Sequence, residues 1–308
     1  AFCLIRQEVC IVKEAIFSGS GVAIVTPFQD GAVNFPVFRR LIERQIAGGT
    51  DAIIVCGTTG EAATMTPKER METIACCVEQ TAGRVPVIAG TGANDTQAAR
   101  ENSMAAERLG ADGLLIVTPY YNKATQQGLL RHYKTIADSV STPIILYNVP
   151  SRTGVNILPE TYAELAHHPN IAGVKEASGN FSQIQKTRNL CPTNFSIWSG
   201  NDDETAAICM LGGVGVISVV ANVLPAQMHE LTSLCLANDF AAAGQLQLKL
   251  KPICDALFCE VNPIPVKTAL NLMGLEAGEL RLPLCPPADA SMEKLKLALS
   301  AWDLLPES

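Results

Sequence analysis

Eight short apolar runs rich in β-branched residues recur along the first 225 positions, and their spacing limits the fold more than any other feature of the chain. They read GVAIVTP (21–27), DAIIVCG (51–57), VPVIAG (85–90), DGLLIVTP (112–119), TPIILYNV (142–149), IAGVKEA (171–177), FSIWSG (195–200) and GVGVISVVAN (213–222). Their starts lie roughly 20 to 35 residues apart, the length of a strand plus a helix that brings the chain back. Helical stretches with breakers at their ends lie between them. In TPKERMETIACCVEQTAG, Thr66 serves as N-cap, Pro67 opens the helix, Glu69 completes a capping box and Gly83 takes the C-cap role. Continuous apolar strands alternating with amphipathic helices predict a parallel sheet covered on both faces. Eight such units favour closure into a (β/α)8 TIM barrel, an α/β fold, over an open doubly wound sheet. No GxGxxG follows the first run, which removes the main support for dinucleotide binding. After about residue 238 the rhythm ends, and DFAAAGQLQLKLKPICDALF and PIPVKTALNLMGL read as helices only. The expected organisation is an N-terminal extension (1–17), the barrel (18–238) and a C-terminal helical extension (239–308).

Composition narrows the function classes. Of the 308 residues, 48% are hydrophobic and 17% charged, which excludes a disordered chain. A net charge of −7 argues against nucleic-acid or anionic-membrane partners. The eleven cysteines include no CxxC pair and Cys76–Cys77 are adjacent, a pattern of free thiols in a reducing cytoplasm. Residues 1–17 are interrupted by Arg6, Glu8, Lys13 and Glu14, so they lack the core of a signal peptide. They read as a short amphipathic helix or an added segment. Nothing later approaches a membrane-spanning length.

In a barrel of this kind chemistry sits at the C-terminal ends of the strands. There lie GTTGE (57–61), GTGAND (90–95), TPYYN (118–122), YNVPSRTG (147–154), Lys175 and SGNDDE (199–204). GTTGE reads equally as a tight turn or as a cradle for a small carboxylate. GTGAND reads as a turn. NDDE invites a metal, but acids in the first turn of a helix complement its dipole, and the four histidines show no ligand spacing. Tyr147 alone would pass for a core tyrosine and Arg152 for a surface charge. Lys175 is the anomaly: on a strand it shares a face with Gly173 and Ala177, and lysine is rarely buried unpaired. It either snorkels to solvent or keeps an amine in a dry pocket. Taken together, an amine, a phenol, tandem threonines and an arginine at one rim suit Schiff-base chemistry. Tyr147 could carry protons beside the amine, Thr58 and Thr59 could anchor a keto-acid carboxylate, and Arg152 could hold a second carboxylate. That route needs no metal.

The ordered motifs GTTGE, VIAGTG, VTPYYN, LYNVPSRTG, GVKEASG, GVISV and NPIPVK, from about Gly19 to the C-terminal helices, closely resemble the dihydrodipicolinate synthase family. That family lies within the pyruvate-dependent class I aldolases that include N-acetylneuraminate lyase. The resemblance implies that Lys175 forms a Schiff base with pyruvate and that Tyr147 is its proton donor and acceptor, in a relay with Thr58 and Tyr121. It implies pyruvate contacts from Thr59 and the Ile217 backbone, and an aldehyde carboxylate on Arg152. The second substrate would be L-aspartate 4-semialdehyde, on the diaminopimelate route to lysine. Because Tyr121 would reach across from a neighbouring subunit, a homo-oligomer is implied, a dimer at least and usually a tetramer. Small neighbours of Lys175 would leave room for the covalent substrate. Sialate lyases of the superfamily typically show serine then threonine at Thr58–Thr59 and lack the arginine at Arg152, so the synthase reading is favoured. A barrel that binds keto acids without catalysis is a third reading, opposed by retention of the whole set. Lysine-inhibited members bind lysine with polar residues near positions 62, 67, 70, 94, 98 and 120. Asn94 and Tyr120 match, whereas Ala62, Pro67, Arg70 and Ala98 do not, so the lysine feedback site is expected to be degraded.

Overall fold

The computed structural model describes residues 15–306. Each of the eight runs supplies one strand of a closed, all-parallel barrel. The chain enters through β1 (Gly19–Ala23), then makes a hairpin of β2 (Phe28–Gln29) and β3 (Ala32–Val33) that the apolar rhythm had not signalled. The remaining barrel strands are β4 (Ala52–Val55), β5 (Val87–Gly90), β6 (Gly113–Val117), β7 (Ile144–Asn148), β8 (Ile171–Glu176), β9 (Ser196–Ser199) and β10 (Gly215–Ser218). Helices α1 (Phe35–Ala47), α2 (Pro67–Thr81), α3 (Thr96–Arg108), α4 (Gln126–Ala137), α5 (Pro150–Thr153), α6 (Pro159–Leu165), α7 (Phe181–Leu190), α8 (Thr205–Met210) and α9 (Pro225–Leu236) alternate with them.

The strands read as unbroken apolar runs because both of their faces are dry. Ile53 and Ile144 join the outer core beneath the helices, while Ile54 and Ile145, one residue on, point into the barrel. At the N-terminal end the interior is plugged. The Phe17 ring stacks on Trp198 with centroids 5.2 Å apart, and Trp198 Nε1 donates to the Phe17 carbonyl at 3.2 Å. Residues 1–14 of the expected N-terminal extension lie outside the described residues. The cavity that reaches Lys175 opens at the other end.

The Thr66–Glu69 capping box forms as expected. The C-cap falls one residue earlier than Gly83: Ala82 adopts φ 51° and donates to Val78 O, and Gly83 follows at φ 71°. Reversal there takes two successive left-handed residues, of which the glycine is only the second.

Gly173 corrects a second expectation. A Cβ at this position would lie 2.0 Å from Ser196 O on β9, so its missing side chain serves strand approach and not substrate room. Gly173→Ala should therefore destabilise the fold by about 1–3 kcal/mol or more through overpacking, read as a lower urea midpoint. An unchanged midpoint would mean that β8 and β9 can separate freely.

Beyond α9, helices α10 (Phe240–Leu257), α11 (Ile264–Leu272) and α12 (Asp289–Ser300) pack on one another, and α10 rests on α8 and α9. The segment carrying α11 crosses the barrel mouth: Asn262 meets Thr59, and the Arg281 N–H donates to Glu61. No helix among the described residues is long and apolar enough to cross a membrane.

Candidate active site

Lys175 sits on β8 with Tyr147 beside it on β7 and Trp198 on β9. Its side chain points into the barrel and is 6% exposed, with Nζ 4.4 Å from the Tyr147 ring centroid. Of the two outcomes the strand pattern left open, the structure takes the dry pocket. Room for the amine comes from Gly200, after β9: a Cβ there would lie 3.2 Å from Lys175 Cε and 2.7 Å from Ala177 Cβ. A cavity of about 180 Å³ opens around it, lined by Lys175, Tyr147, Thr58, Thr59, Arg152 and Asn262. A wider cavity of about 370 Å³ shares Thr58, Tyr147, Arg152 and Asn262 with it and leads outward past Tyr120 and Arg70.

The threonine loop is held from several sides. The Glu61 N–H closes its turn on Thr58 O at 3.0 Å, and Thr59 Oγ1 accepts from Asn262 Nδ2 at 3.0 Å. Thr58 and Tyr147 line the same cavity, and the Thr58 hydroxyl acts on the phenol to hold its pKa down. Arg152, on α5, is exposed and donates through Nη2 to Asn262 O at 3.3 Å. Thus five expected residues (Lys175, Tyr147, Thr58, Thr59 and Arg152) converge. Two do not line this inner cavity. The Ile217 side chain is packed inside the barrel. Tyr121 is 89% exposed on a loop with φ 74° and lines neither cavity.

Electrostatics favour a reactive amine. Burial pushes the Lys175 pKa down from its usual 10.5 to about 8, Asp202 pulls the other way, and the Arg152 charge lowers it further. Burial raises the Tyr147 phenol, an effect opposed by Arg152 and by the Thr58 hydroxyl. It stays a neutral hydroxyl that can give and take a proton.

Asp202 is a residue the sequence reading missed. Instead of facing solvent at a helix start, it is buried. Ser218 Oγ donates to Oδ1, and Val219 N and Val220 N donate to Oδ2 at 3.0 and 3.4 Å. It is the anion that acts on Lys175. Its acidic run looked like ordinary dipole complementation, and nothing local revealed the partners on β10 and beyond. Asn262 was also missed, hidden in a helical-looking tail. Among the described residues no group of three or more His, Cys, Asp or Glu side chains is placed to hold a metal ion.

A desolvated amine with a phenol at its side, at the C-terminal mouth of a (β/α)8 barrel, is the equipment of a Schiff-base lyase. A profile of the Dihydrodipicolinate synthetase family matches residues 16–302. The chain is 55% identical over 294 residues to the 4-hydroxy-tetrahydrodipicolinate synthase of Thermoanaerobacter sp. (strain X514), covering 95% of this chain and 99% of that relative. It is 51% identical over 288 residues to the enzyme of the same name from Clostridium novyi (strain NT), covering 94% and 97%. The crystal structure of dihydrodipicolinate synthase from Aquifex aeolicus superposes with a TM-score of 0.93 at 43% identity, covering 95% of this chain and all of that one. The chain belongs to the dihydrodipicolinate synthetase family.

Proposed function

We propose that the protein condenses pyruvate with L-aspartate 4-semialdehyde to give 4-hydroxy-tetrahydrodipicolinate, with Lys175 as the Schiff-base residue. The observation that carries this reading is the buried Lys175 amine, whose pKa is lowered to about 8 so that a neutral fraction exists, inside a cavity that also presents Tyr147, Thr58, Thr59 and Arg152. The neutral amine attacks the ketone carbon, and loss of water leaves a protonated imine. Removal of a methyl proton gives the enamine, whose carbon attacks the aldehyde. The aldehyde oxygen takes up a proton, and the substrate's own amine then displaces Lys175 from the imine carbon, closing the ring and freeing the enzyme. Tyr147, which stands beside the amine, carries these protons in a relay with Thr58. Thr59 and the Ile217 backbone hold the keto-acid carboxylate, and Arg152 at the cavity rim takes the carboxylate of the aldehyde. The covalent adduct makes a metal unnecessary.

The exposed Tyr121 supports an oligomer, a dimer at least and a tetramer as the expected form, in which it completes a neighbour's relay. The cytoplasm, where thiols stay reduced, suits the free cysteines. The test is pyruvate consumption with and without L-aspartate 4-semialdehyde. Aldehyde-dependent turnover supports the synthase. Cleavage of sialic acid with no aldehyde dependence would favour an N-acetylneuraminate lyase-type aldolase instead.

Feedback by lysine should be weak or absent, because Ala98 offers no carboxylate to a lysine ammonium and Arg70 adds a like charge. Arg70 is itself engaged, donating to Gly90 O at 2.9 Å. A lysine titration of the steady-state rate should show no half-inhibition below millimolar concentrations, and sub-millimolar inhibition would contradict this.

A further inference from the structure

A second buried lysine lies outside both cavities. Lys267, the last residue of the NPIPVK motif, donates to Glu61 Oε1 at 2.6 Å and to Glu279 O at 2.5 Å. The two side chains of this ion pair are 1% and 0% exposed. Lys267 Nζ also lies 4.2 Å from the Phe28 ring centroid, with the Arg281 guanidinium 4.0 Å from the same centroid. The other oxygen of Glu61 accepts from the Arg281 N–H at 3.1 Å.

A fully buried ion pair is seldom more stabilising than a well-packed apolar pair, so stability alone does not account for it. Its location does. Glu61 ends the GTTGE loop in a left-handed conformation, φ 53°, unusual for a glutamate and maintained by its surroundings. Its own N–H closes the turn on Thr58 O, and Thr26 Oγ1 pins Gly60 O at 2.8 Å. The same C-terminal segment that carries Lys267 also holds Thr59 Oγ1 and Arg152, through Asn262. Unlike an apolar contact, an ion pair with three directed hydrogen bonds fixes register.

We propose that the Glu61–Lys267 pair is a positioning device, which clamps the 57–61 loop onto the C-terminal helical segment and so sets Thr58 and Thr59 against Tyr147 and the keto acid. It rests on the Schiff-base reading above and adds residues outside the inner cavity around Lys175. The pair also explains why Lys267 does not compete as a nucleophile: its ammonium is held by Glu61 and the Glu279 carbonyl, away from both cavities.

The experiment compares the oligomeric wild type with Lys267→Met, the double variant Glu61→Leu/Lys267→Met, and Glu61→Gln. Urea midpoints are measured beside the pyruvate concentration that half-saturates borohydride trapping, and beside kcat and both KM values. Lys267→Met alone leaves a buried carboxylate and should lower the midpoint, and the double variant should recover it. With stability restored, the double variant should still need about tenfold more pyruvate and show about tenfold lower kcat, while the aldehyde KM moves less than about threefold. Recovery of wild-type pyruvate affinity together with the midpoint would overturn the proposal. Should the double variant fail to fold, Glu61→Gln decides: it keeps the shape but not the charge, and wild-type kinetics in it would likewise overturn the clamp. Absence of borohydride trapping in the wild type would instead count against the functional reading, independently of the variants.

Discussion

Lys175→Met should give a protein that is more stable at pH 7 and lower in activity by about four orders of magnitude or more. The loss follows from removing the nucleophile, for which no other amine lines the cavity. The gain follows from linkage. Burial lowers the folded-state pKa from 10.5 to about 8, so between those values the unfolded chain binds the extra proton. Stability therefore rises with pH across that window, and the cost of burying the ammonium is fully present below pH 8. A shift of that size corresponds to about 3 kcal/mol. Methionine fills nearly the same volume without a charge. The stability gain of the variant over the wild type should therefore be largest at pH 7 and shrink at pH 10, a difference in which the buried thiols common to both proteins cancel. A borohydride-stable pyruvate adduct on the variant, or an unchanged midpoint, would rule this account out.

The same amine should govern the acid limb of the rate profile, which should fall as pH drops through about 8. The charges that act on Lys175 are Asp202 and Arg152. Asp202→Asn removes the anion that favours the ammonium, so the limb should move to lower pH. A shift to higher pH, or none, would show that Asp202 is only a scaffold for Ser218, Val219 and Val220.

Where local chemistry determined the answer, the sequence was legible. The strands could be read because both faces of each are dry, which leaves no polar alternation to disguise them. Lys175 stood out because a lysine between Gly173 and Ala177 breaks that dryness, and Tyr147, Thr58, Thr59 and Arg152 could be added because strand ends converge in a barrel. What stayed hidden depends on partners far along the chain. Asp202 meets Ser218 across 16 residues, and Glu61 meets Lys267 across 206. No periodicity reports such pairs. Gly173 was misread for a related reason: its neighbour is the backbone of β9, which the strand's own pattern does not reveal. The β2–β3 hairpin escaped because strands of two residues are too short to show alternation.

Tyr147→Phe should separate building the site from running it. The ring is what packs: it stands beside Ile145 and Val149 in the barrel interior and beneath the Lys175 amine at 4.4 Å. Phenylalanine keeps those contacts, so the urea midpoint should change by no more than about 1 kcal/mol in free energy, the net worth of one hydrogen bond. In the mechanism proposed above, the hydroxyl is what moves protons. Schiff-base formation must shed water and enamine formation must take a proton from carbon, and Tyr147 is the group placed beside the amine to serve both. Loss of a positioned acid–base group costs about 10²–10⁴-fold. A drop of that size in kcat is therefore expected, with slower borohydride trapping of pyruvate that still reaches completion because the amine remains. Retention of kcat within about threefold would exclude Tyr147 as proton carrier and move the role to another hydroxyl of the cavity, such as Thr58. Full trapping at an undiminished rate with slow turnover would instead place the phenol after Schiff-base formation, at the carbon–carbon bond-forming stage.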